Sequence, residues 1–148
     1  MKIGIANDHR GFDLKEQIVE NLKDKYEFVD VGAYSTDSVD YPDYAFKLGE
    51  IVSKKEVDFG VAICGSGIGI SIACNKVKGI RCAKVDSLDD VLHTRLDNDS
   101  NIVAFSANTK IDDAISYVEK FIETAFSNEE RHQKRIDKIR KYEDENER

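Results

Sequence analysis

The chain has 148 residues, of which 41% are hydrophobic and 34% are charged, a composition typical of a soluble globular protein. This length suits one domain, which buries about 68–70% of the surface that its unfolded chain exposes. The formal net charge of −7 argues against a general affinity for nucleic acid or for acidic membranes, because both attract positively charged surfaces.

No apolar run approaches the length of about 20 residues that spans a bilayer, and the residues after Met1 predict a first strand rather than a signal peptide. The three cysteines, Cys64, Cys74 and Cys82, are odd in number and lack paired CxxC spacing. We therefore expect neither a disulfide framework nor a zinc site, and we expect the protein to lie in a reducing cytoplasm.

Short apolar runs alternate with amphipathic segments, the pattern of βαβ units around a parallel sheet. Helices are expected after Asp8, from about Pro42, after Gly69, over Ser87–Leu96 and over Ile111–Phe126. The charged stretch 128–148 has only a thin apolar seam, which suits a helical arm lying across a neighbouring surface. The sequence thus predicts one α/β domain over residues 1–148. Its predicted strands are Lys2–Ala6, Glu27–Val31, Phe59–Ile63, Ile80–Lys84 and Ile102–Ser106.

A glycine-rich loop follows the third predicted strand, from Cys64 to Gly69. In open parallel sheets, ligands bind beyond the carboxyl ends of the strands. The backbone N–H groups of such a loop can hold an anion at the start of a helix. A tight turn alone also uses glycine, but three glycines in five positions beside a cysteine exceed what one turn requires. The pattern is neither a P-loop nor a dinucleotide-binding fingerprint.

Cys64 closes the strand, where the positive end of the next helix would favour a thiolate. The alternative is a small buried apolar side chain, which is the interpretation we give to Cys74 and Cys82. An anion-binding loop beside a reactive thiol suggests an enzyme that acts on a phosphorylated or anionic small molecule.

Asp8 and His9 follow the first strand and would open into the same crevice. Asp8 also suits a helix N-cap, and the two roles are compatible. We expect His9 to face an anion pocket.

The C-terminal stretch carries three fixed positive charges within five residues, Arg131 to Arg135. Arg131 and Arg135 are four residues apart and so share one helical face, where two guanidinium groups match the oxygens of a phosphate. Taken alone, such a run is more often a solvated surface. His93 and Asp97 are also four apart, and the loop after them enters the fifth strand. We expect that loop either to deliver polar side chains to the pocket or to be a plain turn.

Taken together, these segments resemble the ribose-5-phosphate isomerase B and galactose-6-phosphate isomerase family. The resemblance runs from Met1 to about Ile139. It rests on segments that occur in one order: Asp8-His9-x-Gly11, Val29-Asp30-Val31-Gly32, Val39-Asp40-Tyr41-Pro42, Ile63-Cys64-Gly65-Ser66-Gly67-Ile68-Gly69, Ala73-x-Asn75-Lys76, Gly79-Ile80-Arg81, Asn98-Asp99-x-Asn101 and Arg131-His132-Gln133-x-Arg135.

The resemblance implies a three-layer, Rossmann-like sandwich with a five-stranded parallel sheet. It implies a homodimer or homotetramer with active sites between subunits, and isomerisation of an aldose to a ketose through an enediolate without metal or cofactor. One branch of the family uses a glutamate after the glycine loop as the base. Because Ile70 stands there, the cysteine branch is implied and Cys64 becomes the candidate base.

The family's other site positions carry over residue by residue. Arg131 and Arg135 match its phosphate ligands, and Tyr41 is expected to line the pocket. The remaining matches to substrate-binding positions are Asp8, His9, Gly65, Ser66, Gly67, Ile68, Gly69 and Asn98.

Two positions depart from the family pattern. Asp97 stands where ribose-5-phosphate isomerases carry the histidine that opens the sugar ring, and Asn108 stands where they carry a substrate-binding arginine. We expect Asp97 to open the ring, with His93 as an alternative. A third hypothesis is an open-chain substrate, such as a tetrose or tetrulose phosphate, which cannot close the same ring.

The sequence therefore predicts a sugar-phosphate isomerase, with ribose 5-phosphate and ribulose 5-phosphate as the first substrate pair. Galactose 6-phosphate, allose 6-phosphate and erythrulose phosphate remain open. A sugar-phosphate-binding subunit without catalysis is the competing class. The changes at Asp97 and Asn108 keep that class open, and the retention of Cys64 argues against it.

Overall fold

The protein's structure, a computed structural model, describes residues 1–146, so the last two residues of the predicted arm lie outside the described residues. Five strands form one sheet in the order β2-β1-β3-β5-β4, and every adjacent pair is parallel. In chain order the elements are β1 (Lys2–Asn7), α1 (Phe12–Leu22), β2 (Glu27–Asp30), α2 (Tyr41–Ser53), β3 (Phe59–Cys64), α3 (Ile68–Cys74), β4 (Cys82–Lys84), α4 (Leu88–Asn98), β5 (Ile102–Ser106), α5 (Ile111–Glu123) and α6 (Glu130–Glu145).

The predicted order of strands and helices is confirmed, and the differences lie at element ends. Strand β4 is shorter than predicted because the Arg81 amide donates to the Asn101 side chain at 2.9 Å rather than extending the ladder. Helix α4 runs to Asn98, two residues further than predicted, and stops where Asp99 adopts a left-handed φ of 47°. Helix α5 ends at Glu123 because Thr124 is extended.

Two apolar clusters cover the two faces of the sheet. One contains the buried sides of α1, α4 and α5, and the other contains those of α2 and α3. Alternate residues of each strand enter opposite clusters, as the two-residue period of a strand requires. Strand residues on the α2 side are small: a Cβ on Gly4 would lie 2.8 Å from Leu48. These small side chains therefore allow α2 to pack close to the sheet.

Strands β1 and β3 are neighbours, with Ala6 opposite Ala62 and Asn7 opposite Ile63. The helices that follow them pack on opposite faces, α1 in one cluster and α3 in the other. The chain thus diverges at the carboxyl ends of these strands and leaves a crevice there. Such a switch point is where open parallel sheets bind ligands.

Helix α6 lies at the opposite, amino-terminal edge of the sheet. Its Glu143 accepts a hydrogen bond from the Gly79 amide at 3.2 Å, just before β4, and its Ile136 is buried. The predicted helical arm is therefore confirmed over Glu130–Glu145. Within residues 1–146, no helix combines the length and the hydropathy that crossing a bilayer requires.

Candidate active site

The first wall of the crevice is the turn after β1. One carboxylate oxygen of Asp8 accepts from the Arg10 amide at 2.9 Å and from the Gly11 amide at 3.1 Å, which confirms its capping role. This turn carries His9, whose Nδ1 accepts from the Val39 amide at 3.2 Å. In the neutral ring, Nε2 therefore carries the proton and is a donor.

The second wall is the loop after β3, where Cys64 is the last strand residue. Its Sγ accepts from the Gly67 amide at 3.2 Å. An N–H group aimed at a sulfur stabilises negative charge on it. The Ile68 amide is bound by the Ser66 hydroxyl at 3.1 Å, so two amides of the loop already have partners within it. The loop therefore uses one amide to stabilise the Cys64 sulfur and a second within its own turn, so neither of these two amides is free to bind an incoming anion.

Backbone geometry requires glycine at one position of the loop, and a close aromatic ring favours it at a second. Gly67 has φ +79°, and a Cβ there would lie 2.6 Å from the backbone carbon of Phe105. A Cβ on Gly69 would lie 2.7 Å from the Tyr41 ring. The structure thus places Tyr41 directly over the loop, and its role in lining the substrate pocket stays a prediction.

Arg10 is a site neighbour that our sequence analysis did not select. A Cβ on Gly65 would lie 2.7 Å from the Arg10 Nη1 atom, so the guanidinium passes over the loop next to Cys64. Within residues 1–146 that guanidinium has no hydrogen bond or ion pair. The sequence signal for Arg10 was its position in the turn after β1. Many exposed arginines occupy such turns, so this position did not identify Arg10 as a site residue.

Asn108 lies at the same edge of the sheet. Its amide donates to the Ser106 hydroxyl at 3.0 Å, and that hydroxyl donates to the Gly65 carbonyl at 2.7 Å. Asn108 is therefore tied through Ser106 to the glycine loop, and its exposed side chain is available at the crevice.

Asp97 and Asn98 lie far from the crevice of their own chain, at the opposite edge of the sheet. Helix α4 starts beyond the carboxyl end of β4 and runs back, so its last residues reach the amino-terminal edge of the sheet. Strand β5 then runs from Ile102, opposite Gly60, to Ser106, opposite Cys64. Four strand steps span about 13 Å, so the loop that enters β5 does not reach the crevice of its own chain.

Asp97 has a buried partner at this edge, His132 of α6. The Nε2 atom of His132 lies 3.3 Å from an Asp97 carboxylate oxygen and 3.4 Å from a Glu129 oxygen. Neither contact is aligned as a hydrogen bond, and Nε2 is shielded from water. His93, by contrast, is exposed, and its Nδ1 lies 2.8 Å from the Asp89 carbonyl oxygen.

Arg131 and Arg135 are exposed on α6, and α6 packs near the end of α4. Arg131 has a loose contact with Glu129 at 3.7 Å. In the part of the chain that the structure describes, neither arginine is hydrogen-bonded or ion-paired to the glycine loop. The predicted residues therefore form two groups, which we name the carboxyl-edge group (Asp8, His9, Tyr41, Cys64 to Gly69, Asn108) and the amino-edge group (Asp97, Asn98, Arg131, Arg135).

The two remaining cysteines have a different environment. A hydrogen bond with Cys74 and burial raise the pKa of the Cys82 thiol well above its ordinary value, so this thiol stays protonated. Cys74 is fully buried between α2 and α3. Among residues 1–146, no three side chains of the metal-binding types lie close enough to hold an ion.

The chain was compared with known proteins. The sequence model of the family described as Ribose/Galactose Isomerase matches residues 3–139. Ribose-5-phosphate isomerase B of Escherichia coli is 37% identical over 140 residues, 93% of each chain.

Two solved structures extend the comparison. Ribose-5-phosphate isomerase B of Clostridium thermocellum superposes with a TM-score of 0.94 at 41% identity, over 98% of this chain and 99% of that one. The Mycoplasma genitalium enzyme, solved with bound ribulose-5-phosphate, gives a TM-score of 0.91 at 40% identity over 97% of both chains. These matches show that the chain belongs to the ribose/galactose isomerase family.

Proposed function

We propose that this protein interconverts the aldose and ketose forms of a sugar phosphate, with ribose 5-phosphate and ribulose 5-phosphate as the first pair to test. The observation that carries the proposal is Cys64 at the carboxyl end of β3, with the Gly67 amide 3.2 Å from its sulfur. Family membership supplies the substrate class, since a relative of 40% identity was solved with ribulose-5-phosphate.

Cys64 acts as the base. Its thiolate removes the proton from C2 of the open-chain aldose, and the C1 carbonyl oxygen takes up the charge of the enediolate. A proton then passes from the C2 hydroxyl to the C1 oxygen. The C2 carbonyl forms as the Cys64 thiol returns its proton to C1, which regenerates the thiolate. A positioned base is typically worth about 10²–10⁴ in rate. Donors aimed at the oxygen where charge develops add further stabilisation. His9 is suited to that task because its Nδ1 is occupied by the Val39 amide, which leaves Nε2–H to donate.

The active site is completed by a second copy of the chain. Within one chain the amino-edge group lies at the opposite edge of the sheet from Cys64. In a dimer, Arg131 and Arg135 of one copy bind the phosphate, and Asp97 and Asn98 accompany them. A bound phosphate fixes the sugar carbon near the base.

Exposed apolar side chains beside the crevice support this assembly. Ile68 and Ile72 of α3 are 54% and 56% exposed, and Tyr41 and Phe46 on the neighbouring helix α2 are 38% and 41% exposed. Apolar surface of this kind at the mouth of a site is typical of a protein contact. A two-fold dimer pairs the same surface of both copies and so builds two equal sites.

Ribose 5-phosphate is largely cyclic, so an acid–base group must open the ring before C2 can be deprotonated. Asp97 takes this role in our proposal, and Asn108 contacts the substrate beside the glycine loop. The whole chain then serves as one catalytic domain. We place it in pentose phosphate metabolism in the cytoplasm, which suits its three free cysteines.

A panel of tetrose, pentose and hexose phosphates in D2O tests the proposal. We expect turnover of ribose 5-phosphate with deuterium entering the ketose at C1. Binding of the sugar phosphates without exchange would identify a sugar-phosphate-binding subunit instead. Faster turnover of a tetrose or hexose phosphate would support the proposed isomerisation but identify a different sugar phosphate as the substrate.

A further inference from the structure

We infer that His132 positions Asp97 for opening the sugar ring. The inference rests on the proposed function and adds a residue to which the sequence assigned no role. It starts from an imidazole nitrogen that is buried without an aligned hydrogen-bond partner. Such nitrogens are rare in folded proteins, and each one calls for an explanation.

The surroundings of His132 define what that nitrogen can do. His132 is only 7% exposed, and its Nε2 faces an Asp97 oxygen at 3.3 Å and a Glu129 oxygen at 3.4 Å. A lone pair on Nε2 would face two acceptors, so this nitrogen carries a proton. His132 is therefore a donor beside both carboxylates, and in the inferred arrangement it aligns with Asp97 when the site is assembled.

Asp97 is the member of the pair that can reach a substrate. Its side chain is 38% exposed, and its contact with His132 uses one oxygen. The inference assigns the second oxygen as the outward one that meets the substrate. Arg131 stands next to His132 in the chain, and Arg135 follows one helical turn later. The pair therefore lies beside the arginines proposed to bind phosphate, on the same exposed end of α6.

Ring opening needs a group that takes one proton and returns one. The outward oxygen of Asp97 accepts the proton of the C1 hydroxyl as the bond from C1 to the ring oxygen breaks and the C1 carbonyl forms. Asp97 then returns the proton to the ring oxygen, so the carboxylate ends as it began. His132 stays protonated on Nε2 throughout and fixes the direction of the carboxylate.

The other two histidines, His93 and His9, are less suited to this task. His93 has its Nδ1 against the Asp89 carbonyl oxygen at 2.8 Å, which leaves Nε2 as an acceptor, but within residues 1–146 it makes no ion pair with a carboxylate that would orient it. His9 has its Nδ1 occupied by the Val39 amide, which makes it a donor at the crevice rather than a base.

Glutamine and asparagine at position 132 provide a matched pair for the test. The side-chain amide of glutamine reaches close to the position of Nε2, whereas that of asparagine is one methylene shorter and cannot reach Asp97. His132→Gln therefore keeps a hydrogen-bond donor to the Asp97 carboxylate. His132→Asn removes that donor, while the polarity of the side chain stays similar to that of glutamine. His93→Asn is a control on an exposed histidine.

Two reactions of the same enzyme separate ring opening from proton transfer at carbon. Conversion of cyclic ribose 5-phosphate needs both steps. Exchange of a C1 hydrogen of ribulose 5-phosphate with D2O needs only Cys64, because this ketose has its terminal hydroxyl blocked by phosphate and is open-chain. The exchange rate also reports that a variant is folded and binds substrate.

We expect His132→Asn to lower kcat for ribose 5-phosphate by about a hundredfold, with C1 exchange within about twofold of wild type. His132→Gln should retain most of the turnover, and His93→Asn should retain all of it. Asp97→Asn should lose as much as His132→Asn, and the double variant should lose no more than either, because the two residues act as a unit.

Equal loss of turnover and exchange in His132→Asn would assign His132 a structural role and overturn the inference. Equal turnover in the asparagine and glutamine variants would also overturn it. Absence of C1 exchange in the wild-type enzyme would instead remove the proposed function itself, so the two failures are distinguishable.

Discussion

The two edges of the sheet carry the two halves of the proposed site, and they are built differently. At the carboxyl edge, the backbone makes the key contacts: the Gly67 amide on Cys64, the Val39 amide on His9 and two amides on Asp8. At the amino edge, side chains of α4 and α6 meet through one loosely aligned pair, Asp97 and His132.

This difference shows which half is complete in a single chain. The carboxyl-edge group is positioned by strand ends and a turn, which are rigid once the sheet forms. The amino-edge group has exposed arginines and a buried donor without an aligned partner. The first half is therefore preorganised within one chain, and our proposal assigns the ordering of the second half to a second copy and to substrate.

The largest expected effect is at the base. Cys64→Ser replaces the thiol with a far weaker acid, so kcat should fall by about 10²–10⁴, while the substrate still binds because the loop amides remain. Steady-state kinetics measures kcat, and isothermal titration with ribulose 5-phosphate measures the affinity for the substrate. Cys82→Ser is the control, since its thiol lies away from the crevice. A kcat for Cys64→Ser near the wild-type value would exclude Cys64 as the base.

A second prediction tests the rigidity of the carboxyl edge. Lys15 is fully buried and donates to an Asp30 carboxylate oxygen and to the Ala33 carbonyl, both at 2.8 Å. It thereby anchors the segment that leads to Val39. Lys15→Met removes the cationic partner of Asp30, which keeps the hydrogen bond from the Gly32 amide at 2.9 Å, so urea unfolding should show a loss of about 2 kcal/mol. Lys23→Met, at an exposed position of the same region, should change stability little. A loss below about 0.5 kcal/mol would show that Lys15 does not anchor this segment.

The third prediction concerns phosphate binding at the amino edge. Removing a charged hydrogen bond costs about 1.5–3 kcal/mol, so Arg135→Ala should raise KM about ten- to a hundredfold with a smaller change in kcat. Lys134→Ala removes the same charge from the neighbouring position of α6 and serves as the control. Equal KM values for these two variants would mean that only the net charge of the arm matters.

The smallest effect is expected at Cys82. Its hydrogen bond with Cys74 and its burial raise the pKa of the thiol, so little thiolate forms at pH 8 and alkylation should be slow. Mass spectrometry after brief exposure to iodoacetamide should find Cys82 labelled more slowly than in the urea-unfolded chain. Equal labelling rates would show that the folded environment does not protect this thiol.

Much of the fold was predictable because its signals are local. Apolar runs, the glycine loop and the Asp8 cap each fix a short segment, and the five strands follow in the predicted order. The start of β4 was not predictable, because the Arg81 amide binds a side chain twenty residues further along the chain.

The site was predictable at one edge and not at the other. Cys64 and His9 follow strands, and the carboxyl ends of parallel strands meet at one edge. The separation of Asp97 from that edge depends on the direction of α4, and the burial of His132 depends on how α6 packs. Neither property has a short-range sequence signal, so both emerged only from the three-dimensional arrangement.

Subunit mixing tests the shared active site most directly. Neither Cys64→Ser nor the double variant Arg131→Ala/Arg135→Ala should turn over ribose 5-phosphate appreciably at low substrate concentration. After the two are unfolded together and refolded in equal amounts, half of the dimers are mixed, and each mixed dimer has one intact site out of two. We therefore predict recovery of about a quarter of wild-type activity. No recovery, with mixed dimers demonstrated by native mass spectrometry, would mean that Cys64 and the arginines of one site come from the same chain.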